Sequence, residues 1–222
     1  MTSIPLPAPQ RPRPVSRRAV VMAGGLTVAG AAAYARWPVG FPSAPTTDGE
    51  RLADAARRQL GQTTHYDPAY VRLAYPGGDV DRETGVCADV IVRAARDGLD
   101  LDLQALVHKD MGRAFDAYPA RWGLKRPDAN IDHRRVPNLE VFWRRAGAEL
   151  WQASGTPSRF PRRLQAGDIL TWRSWRNRPH VGLVYRGGFF PLVIHNIGMG
   201  AMRVPLWSLR YLTPHGHYRW PA

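Results

Sequence analysis

Cysteine is nearly absent from this chain: one residue in 222, Cys87. A disulfide within the chain is therefore excluded, and a disulfide-stapled scaffold with it. Lysine is almost as scarce, with Lys109 and Lys125 set against 29 arginines. No segment repeats at a solenoid period, which excludes a repeat architecture. Acidic residues are missing from the whole of Met1 to Ala35. The formal net charge of +13 is accompanied by no nucleic-acid recognition module and no aromatic–basic platform, so no nucleic-acid partner is expected. Such a charge draws a chain instead to anionic envelope polymers or lipid headgroups. What is present suffices for one domain: 44% apolar and 10% aromatic residues can build a single hydrophobic core.

The acid-free segment has a direction. Arg17 and Arg18 follow Ser16, an Ala/Gly-rich run extends from Ala19 to Ala35, and Ala33-Tyr34-Ala35 is a small-x-small cleavage pattern. The arrangement resembles a twin-arginine export signal over residues 1–35. The run is short and too rich in Gly and Ala for a stable transmembrane span, leaving an uncleaved anchor as the alternative reading. Setting aside the segment's four arginines leaves 27 basic against 18 acidic side chains. The expected organisation is export signal 1–35, proline-punctuated linker 36–49 and one domain over 50–222, located in the periplasm or cell envelope. Export sharpens the question posed by Cys87, because a free thiol in an oxidising compartment is a liability.

Apolar spacing predicts helices over Glu50–Leu60, with Gly61 as its stop, then Val86–Arg96, Leu103–Phe115 and Leu139–Ala146. In the second, Val90, Ile91, Ala94 and Ala95 form the buried stripe and Arg93 and Arg96 are expected to point away. The segment "YPARWGLKRPDANIDHRRVPN" reads as a loop. The last third changes period: "GDILTW", "HVGLVYR" and "FFPLVIHNIG" are strand-like runs between turn signals, and "AMRVPLW" and "HGHYRW" can add two more. Helices followed by an antiparallel sheet make an α+β domain.

Cys87 shares the buried stripe of its helix and sits in the first turn, where free backbone N–H groups favour a thiolate. Taken alone it reads first as an inert buried thiol, a reading that only a nearby base overturns. His180 opens "HVGLVYR" and His195 closes "FFPLVIHN"; a two-residue hairpin at Gly187-Gly188 would set them directly opposite. That register would leave Pro191 at a hydrogen-bonded position without an N–H to give, so a longer loop or a bulge is the alternative. Cys87, His180 and His195 then supply nucleophile, base and orienter for acyl transfer through a thioester. Tyr66 is the candidate oxyanion donor beside the Cys87 backbone N–H, or else a packing tyrosine.

These residues carry a resemblance. "GVCADVIVRA" followed by "GDILTW…HVGLV…VIHN" is similar to exported NlpC-type cell-wall cysteine peptidases of papain-like fold. The resemblance implies a Cys87–His180–His195 triad, with the cysteine helix packed on a C-terminal antiparallel sheet. More narrowly, "YDPAYVRLAYPGGDV", "GVCADV", "DANIDHRRVPNLEVF", "HVGLV", "HNIGMG" and "GHYR" resemble the bacterial domain-of-unknown-function family numbered 1287, across Tyr66 to Arg219. Peptidoglycan stem peptides, or another envelope amide, are the implied substrate partner, with no cofactor and no metal. Asp89, Asp132, His133, Arg134 and Asn196 are the candidate substrate-binding residues. The polar segment Asp128–Asn138 has two readings: a wall of the cleft that grips a carboxylate through its arginines, or a loop satisfied by its own hydrogen bonds.

Two rival functions remain at this level. Zinc peptidases that cut cell walls use a His…Asp pair and a later His-x-His, for which His108, Asp116, His215 and His217 are the candidates, with the last two expected on one face of a strand. A non-catalytic envelope-binding module on the same fold is the other. Oligomeric state is not encoded in any readable feature.

Overall fold

The computed structural model describes residues 44–221; the expected export signal and the linker up to residue 43 lie outside the described residues. The first helix, α1 (Asp48–Arg58), begins two residues before its apolar pattern because Thr47 caps it. The Thr47 hydroxyl accepts from the Glu50 N–H at 3.2 Å and the Glu50 carboxylate accepts from the Thr47 N–H at 3.1 Å, a reciprocal capping box. Asp48 and Gly49, assigned to the linker by composition, therefore belong to the domain.

Helix α2 (Cys87–Leu99) packs along α1 through alanines: Ala53, Ala55 and Ala56 on one side, Ala94 and Ala95 on the other, all buried. The approach is close enough that a Cβ on Gly98 would lie 2.8 Å from the Arg51 carbonyl oxygen. Helix α3 (Leu103–Arg113) is capped by Asp102, and α4 (Val136–Arg145) starts three residues before its expected boundary, with a proline in its first turn. Helix α3 ends two residues short of its expected Phe115, which begins a 3₁₀ turn instead (Phe115–Ala117), and the segment from Tyr118 read as a loop contains two more, Ala120–Trp122 and Asp132–Arg134.

Six strands follow: β1 (Glu149–Gln152), β2 (Ile169–Arg173), β3 (Pro179–Arg186), β4 (Leu192–Asn196), β5 (Ala201–Pro205) and β6 (Thr213–Tyr218). They form one antiparallel sheet in the order β1-β6-β2-β3-β4-β5. The α+β class expected from the sequence holds. Only β1 was missed; four residues at a sheet edge carry too little alternation to register. One face of the sheet, with Ile169, Val181, Leu183, Ile194 and Tyr218, meets the helices. The other, with Leu170, Trp172, Val184 and Val193, is covered by irregular chain around Leu164 and by the 3₁₀ turn Leu206–Leu209 with Leu212 after it. Among the described residues no helix is long and apolar enough to cross a membrane.

The expected hairpin register is displaced. Gly182, not His180, lies opposite His195, and a bulge follows between Val184 and Arg186. The turn takes five residues, 187–191, which leaves Pro191 outside the ladder and removes its conflict with strand pairing.

A second correction concerns Arg93, which points inward rather than to solvent. It is fully buried on α2, and its guanidinium donates to both Asp79 oxygens (2.9–3.1 Å), the Thr63 hydroxyl (2.9 Å) and the carbonyls of Val80, Asp81 and Thr84 (3.0–3.1 Å). This side chain makes more bonds to the irregular chain ahead of Cys87 than any other on the helix, and Arg96 adds one to the Gly78 carbonyl at 3.2 Å. Removing one member of such a buried pair leaves the other charge uncompensated. Arg93→Met is expected to destabilise the fold by about 3–5 kcal/mol, read as a lower urea midpoint; an unchanged midpoint would refute the anchoring role.

Candidate active site

Cys87 is the first residue of α2, and Val86 before it has no polar side chain with which to cap the helix. Asp89 does so from within: its carboxylate accepts from the Val86 N–H at 2.6 Å. The same carboxylate receives two hydrogen bonds from Arg134, both at 2.9 Å, in an ion pair almost wholly out of water. Arg134 also donates to the carbonyls of Asp67 and Ala69, so Asp89 and Arg134 tie the cysteine turn to the 67–69 segment.

The thiol lies at the base of a cleft of about 190 Å³ walled by Tyr66, Trp122, Ile131, Arg135, Pro137 and Pro179. Arg135 lies over the Trp122 ring, 4.2 Å from its centroid. The Val181 N–H, one residue along from His180, is directed at the sulfur. Helix-start geometry alone predicts a thiolate, yet burial pushes the Cys87 thiol up to about 11, and Asp89 adds to the effect. The N–H groups of Val181, Ala88 and Cys87 pull the other way and lose. Tyr66, partly exposed beside the thiol, is itself pushed up to about 12, first by burial and then by the Cys87 and Asp89 charges.

His180 and His195 do meet, although not by the expected register. His180 Nε2 and His195 Nδ1 are 3.1 Å apart, with the rings nearly perpendicular. They stand diagonally across β3 and β4, and Gly182 between them opens the space. A Cβ there would come within 2.8 Å of the Val193 side chain and 3.2 Å of the His195 Cβ. Burial pushes His180 down to about 3, with His195 adding to it, and His195 down to about 4. Among the described residues no hydrogen bond joins the Cys87 sulfur to His180. His180 Nδ1 is likewise without a partner there and is not among the fully enclosed unpaired atoms.

The remaining candidates direct their hydrogen bonds inward. Asp132 accepts from the Asp128 N–H, Arg135 and Asn138. His133 is buried and pushed down to about 4. Asn196 donates to Gly85 O at 2.9 Å and accepts from the Gly198 N–H, joining the end of β4 to the cysteine loop. Of the two readings of Asp128–Asn138, the hydrogen bonds match the self-satisfied loop, while both of its arginines also line the cleft, Arg134 with its guanidinium held by Asp89 and Arg135 over Trp122.

This layout can be compared with known proteins. The sequence profile of a domain of unknown function, DUF1287, matches residues 53–220. The chain belongs to the DUF1287 family. It is also 50% identical, over 173 residues, to the Uncharacterized protein YijF of Escherichia coli (strain K12), an alignment covering 76% of this chain and 80% of that protein. Membership bears out the narrower resemblance read from six ordered motifs, and extends it toward the N-terminus.

The zinc candidates of this DUF1287 domain do not converge. His217 binds Asp168 at 2.9 Å. A β-bulge between its neighbours turns His215 instead toward Glu140 and Arg173, which overturns the expectation that the two share a strand face. His108 packs edge-on against Tyr75. Among the described residues no three His, Cys, Asp or Glu side chains are grouped to hold a metal ion.

Sequence reading missed Gly182 and Arg93 as parts of this DUF1287 site. The glycine was visible within "HVGLV", where the middle of a strand gives no propensity reason for it.

His133, His180 and His195 are all neutral in the folded domain and ordinary in the unfolded chain, where the reference value is 6.5. Their folded-state values are depressed, so their stabilisation is complete above pH 6.5 and is lost as the pH falls toward 4. Unfolding at pH 5 is expected to take up about three protons, lowering the urea midpoint steadily between pH 7 and 5. A midpoint independent of pH across that range would contradict the buried neutral histidines.

Proposed function

We propose that this chain is an exported thiol hydrolase of NlpC-type, papain-like architecture that cleaves amide bonds in peptidoglycan stem peptides. The observation that carries the reading is the His180–His195 contact at 3.1 Å, set on the strand whose Val181 N–H faces the only sulfhydryl in the chain. In the tautomer where His180 Nε2 donates to His195 Nδ1, His180 Nδ1 is left with a lone pair to receive the thiol proton.

The resting pair is a neutral thiol and a neutral imidazole, given a thiol pushed up to about 11 and a histidine pushed down to about 3. Attack is therefore coupled to proton transfer. The Cys87 proton passes to His180 as the sulfur bonds the carbonyl carbon, the Cys87 N–H and Tyr66 hydroxyl stabilise the oxyanion, and the proton leaves on the amine. Water, activated by the same histidine, then hydrolyses the thioester. Asp89, Arg134, Asp132, His133 and Asn196 act as the frame that places the cysteine turn; Arg135 and Trp122 at the cleft wall are the groups left to meet substrate.

Release of stem peptides from peptidoglycan fragments, followed chromatographically, tests the reading. Cys87→Ala is expected to lower kcat/KM at least about 1,000-fold and His180→Ala about 100- to 10,000-fold, with chelator without effect. Activity that survives Cys87→Ala would refute the thiol mechanism. Loss with chelator alone would favour zinc, and retained binding with no turnover by any form would favour an envelope-binding module.

The neutral pair makes a second, separate prediction. Cys87 in the folded chain should alkylate roughly 100-fold more slowly at pH 7.5 than in denaturant, in proportion to its thiolate fraction. Faster labelling in the folded state would show a primed thiolate and overturn this electrostatic account.

A further inference from the structure

The charge of this domain is divided along the chain. Residues 44–149, which hold the helices, carry 16 basic and 17 acidic side chains; residues 150–222, which hold nearly all of the sheet, carry ten arginines and a single acid, Asp168. That acid is buried and already bonded to His217 and Arg219. The exposed arginines of the second half thus have no carboxylate in their own stretch of sequence to neutralise them.

Four of them border one surface feature. On the sheet face away from the helices, a groove of about 560 Å³ has Leu164, Trp172, Leu209 and Leu212 beneath it and Arg159, Arg162, Arg163 and Arg210 around it. All four arginines are exposed, and among the described residues none lies within ion-pair distance of an acid. At the lip stand three aromatic side chains that the fold does not cover: Phe189 (90% exposed) and Phe190 (70%) in the β3–β4 turn, and Trp207 (67%) before β6. Phe189 and Phe190 pack on each other edge to face at 4.8 Å, forming one apolar projection.

Apolar patches of this kind signal contact with something other than water. The combination selects among partners. Uncovered phenylalanines on a turn beside a tryptophan match the headgroup–acyl boundary of a bilayer, where such rings partition. A surrounding ring of unpaired guanidinium groups matches the phosphates of anionic lipids, by bidentate hydrogen bonding and surface potential together. A purely electrostatic partner would leave the aromatic tip unexplained, and a neutral apolar partner the arginines.

We propose that this face docks on an anionic phospholipid bilayer, with Phe189, Phe190 and Trp207 entering the interface and the four arginines on the phosphates. The helical layer then faces away from the lipid. The inference rests on the aromatic and arginine positions alone and is independent of the chemistry proposed for Cys87.

Co-sedimentation of the full chain with vesicles of phosphatidylglycerol, or of phosphatidylcholine alone, tests it. The wild-type chain is expected to bind phosphatidylglycerol vesicles at least about tenfold more tightly, with affinity falling as salt rises. The variant F189S/F190S/W207S should lose about tenfold on phosphatidylglycerol, and R162Q/R163Q/R210Q should lose the preference for it. Because all six positions are exposed, unchanged circular dichroism and urea midpoints confirm that the variants fold. Equal binding by wild type and both variants would overturn the proposal, since attachment would then lie elsewhere in the chain. Full binding by the aromatic variant would reduce the face to a charge effect and also overturn it. Absence of the wild type from both vesicle pellets would overturn it too and leave the groove to a protein partner.

Discussion

The guanidinium of Arg93 organises the part of this molecule on which everything else rests. It projects from the middle of α2 into a region with no regular secondary structure and satisfies oxygens from residues 63, 79, 80, 81 and 84. Most of that stretch is exposed, but the oxygens it turns inward against α2 are shielded there and take a partner from this side chain. Arginine suits the task because its five donors lie in one plane and stay charged under all ordinary conditions. The loop that delivers Cys87 is therefore referenced to the helix that begins with Cys87. Asp89 and Arg134 repeat the arrangement on the other side, fastening the 67–69 segment to the same helical turn.

The electrostatics of the sulfur differ from a simple helix-terminus picture first because the thiol is buried, and then because of this double fastening. The free N–H groups of a first turn favour a thiolate, but the turn here also contains Asp89, whose charge is needed to cap the helix and to hold Arg134. Fixing the cysteine in place and activating it at rest thus pull in opposite directions. Placement prevails and the thiol is left neutral; in the proposed mechanism its activation falls to His180, which meets His195 of β4. A thiol kept neutral and enclosed is also less open to the oxidation that a lone cysteine would otherwise invite.

Much of this was legible in the residue order. Helical spacing located four helices to within a few residues, and alternation located five of six strands, because both periods are imposed by burial on one face. The meeting of His180 and His195 was legible too, but for an inexact reason: the hairpin arithmetic assumed a two-residue turn, while a five-residue turn and a bulge shift the partners by two and make the contact diagonal. What could not be read was the inward turn of Arg93 and the internal bonding of Asp89, Asp132 and Asn196. A polar residue looks the same in a sequence whether it faces solvent, ligand or a buried carbonyl, since its partners lie tens of residues away. His215 and His217 failed for a related reason: a bulge is a tertiary event that strict alternation does not anticipate.

Gly182 has an implication that extends beyond this chain. A side chain there would meet a Val193 methyl at 2.8 Å and the His195 Cβ at 3.2 Å, so positions 182, 193 and 195 form one steric unit. Within the DUF1287 family these positions are expected to vary together or not at all. A member with a larger residue at 182 would have to shrink position 193 or shift the β4 backbone at 195, and the imidazole carried there would be displaced with it. The pair of histidines thus leaves an imprint on a third position that carries no chemistry, and aligned relatives can be sorted by that imprint into those that retain the site and those that keep only its fold.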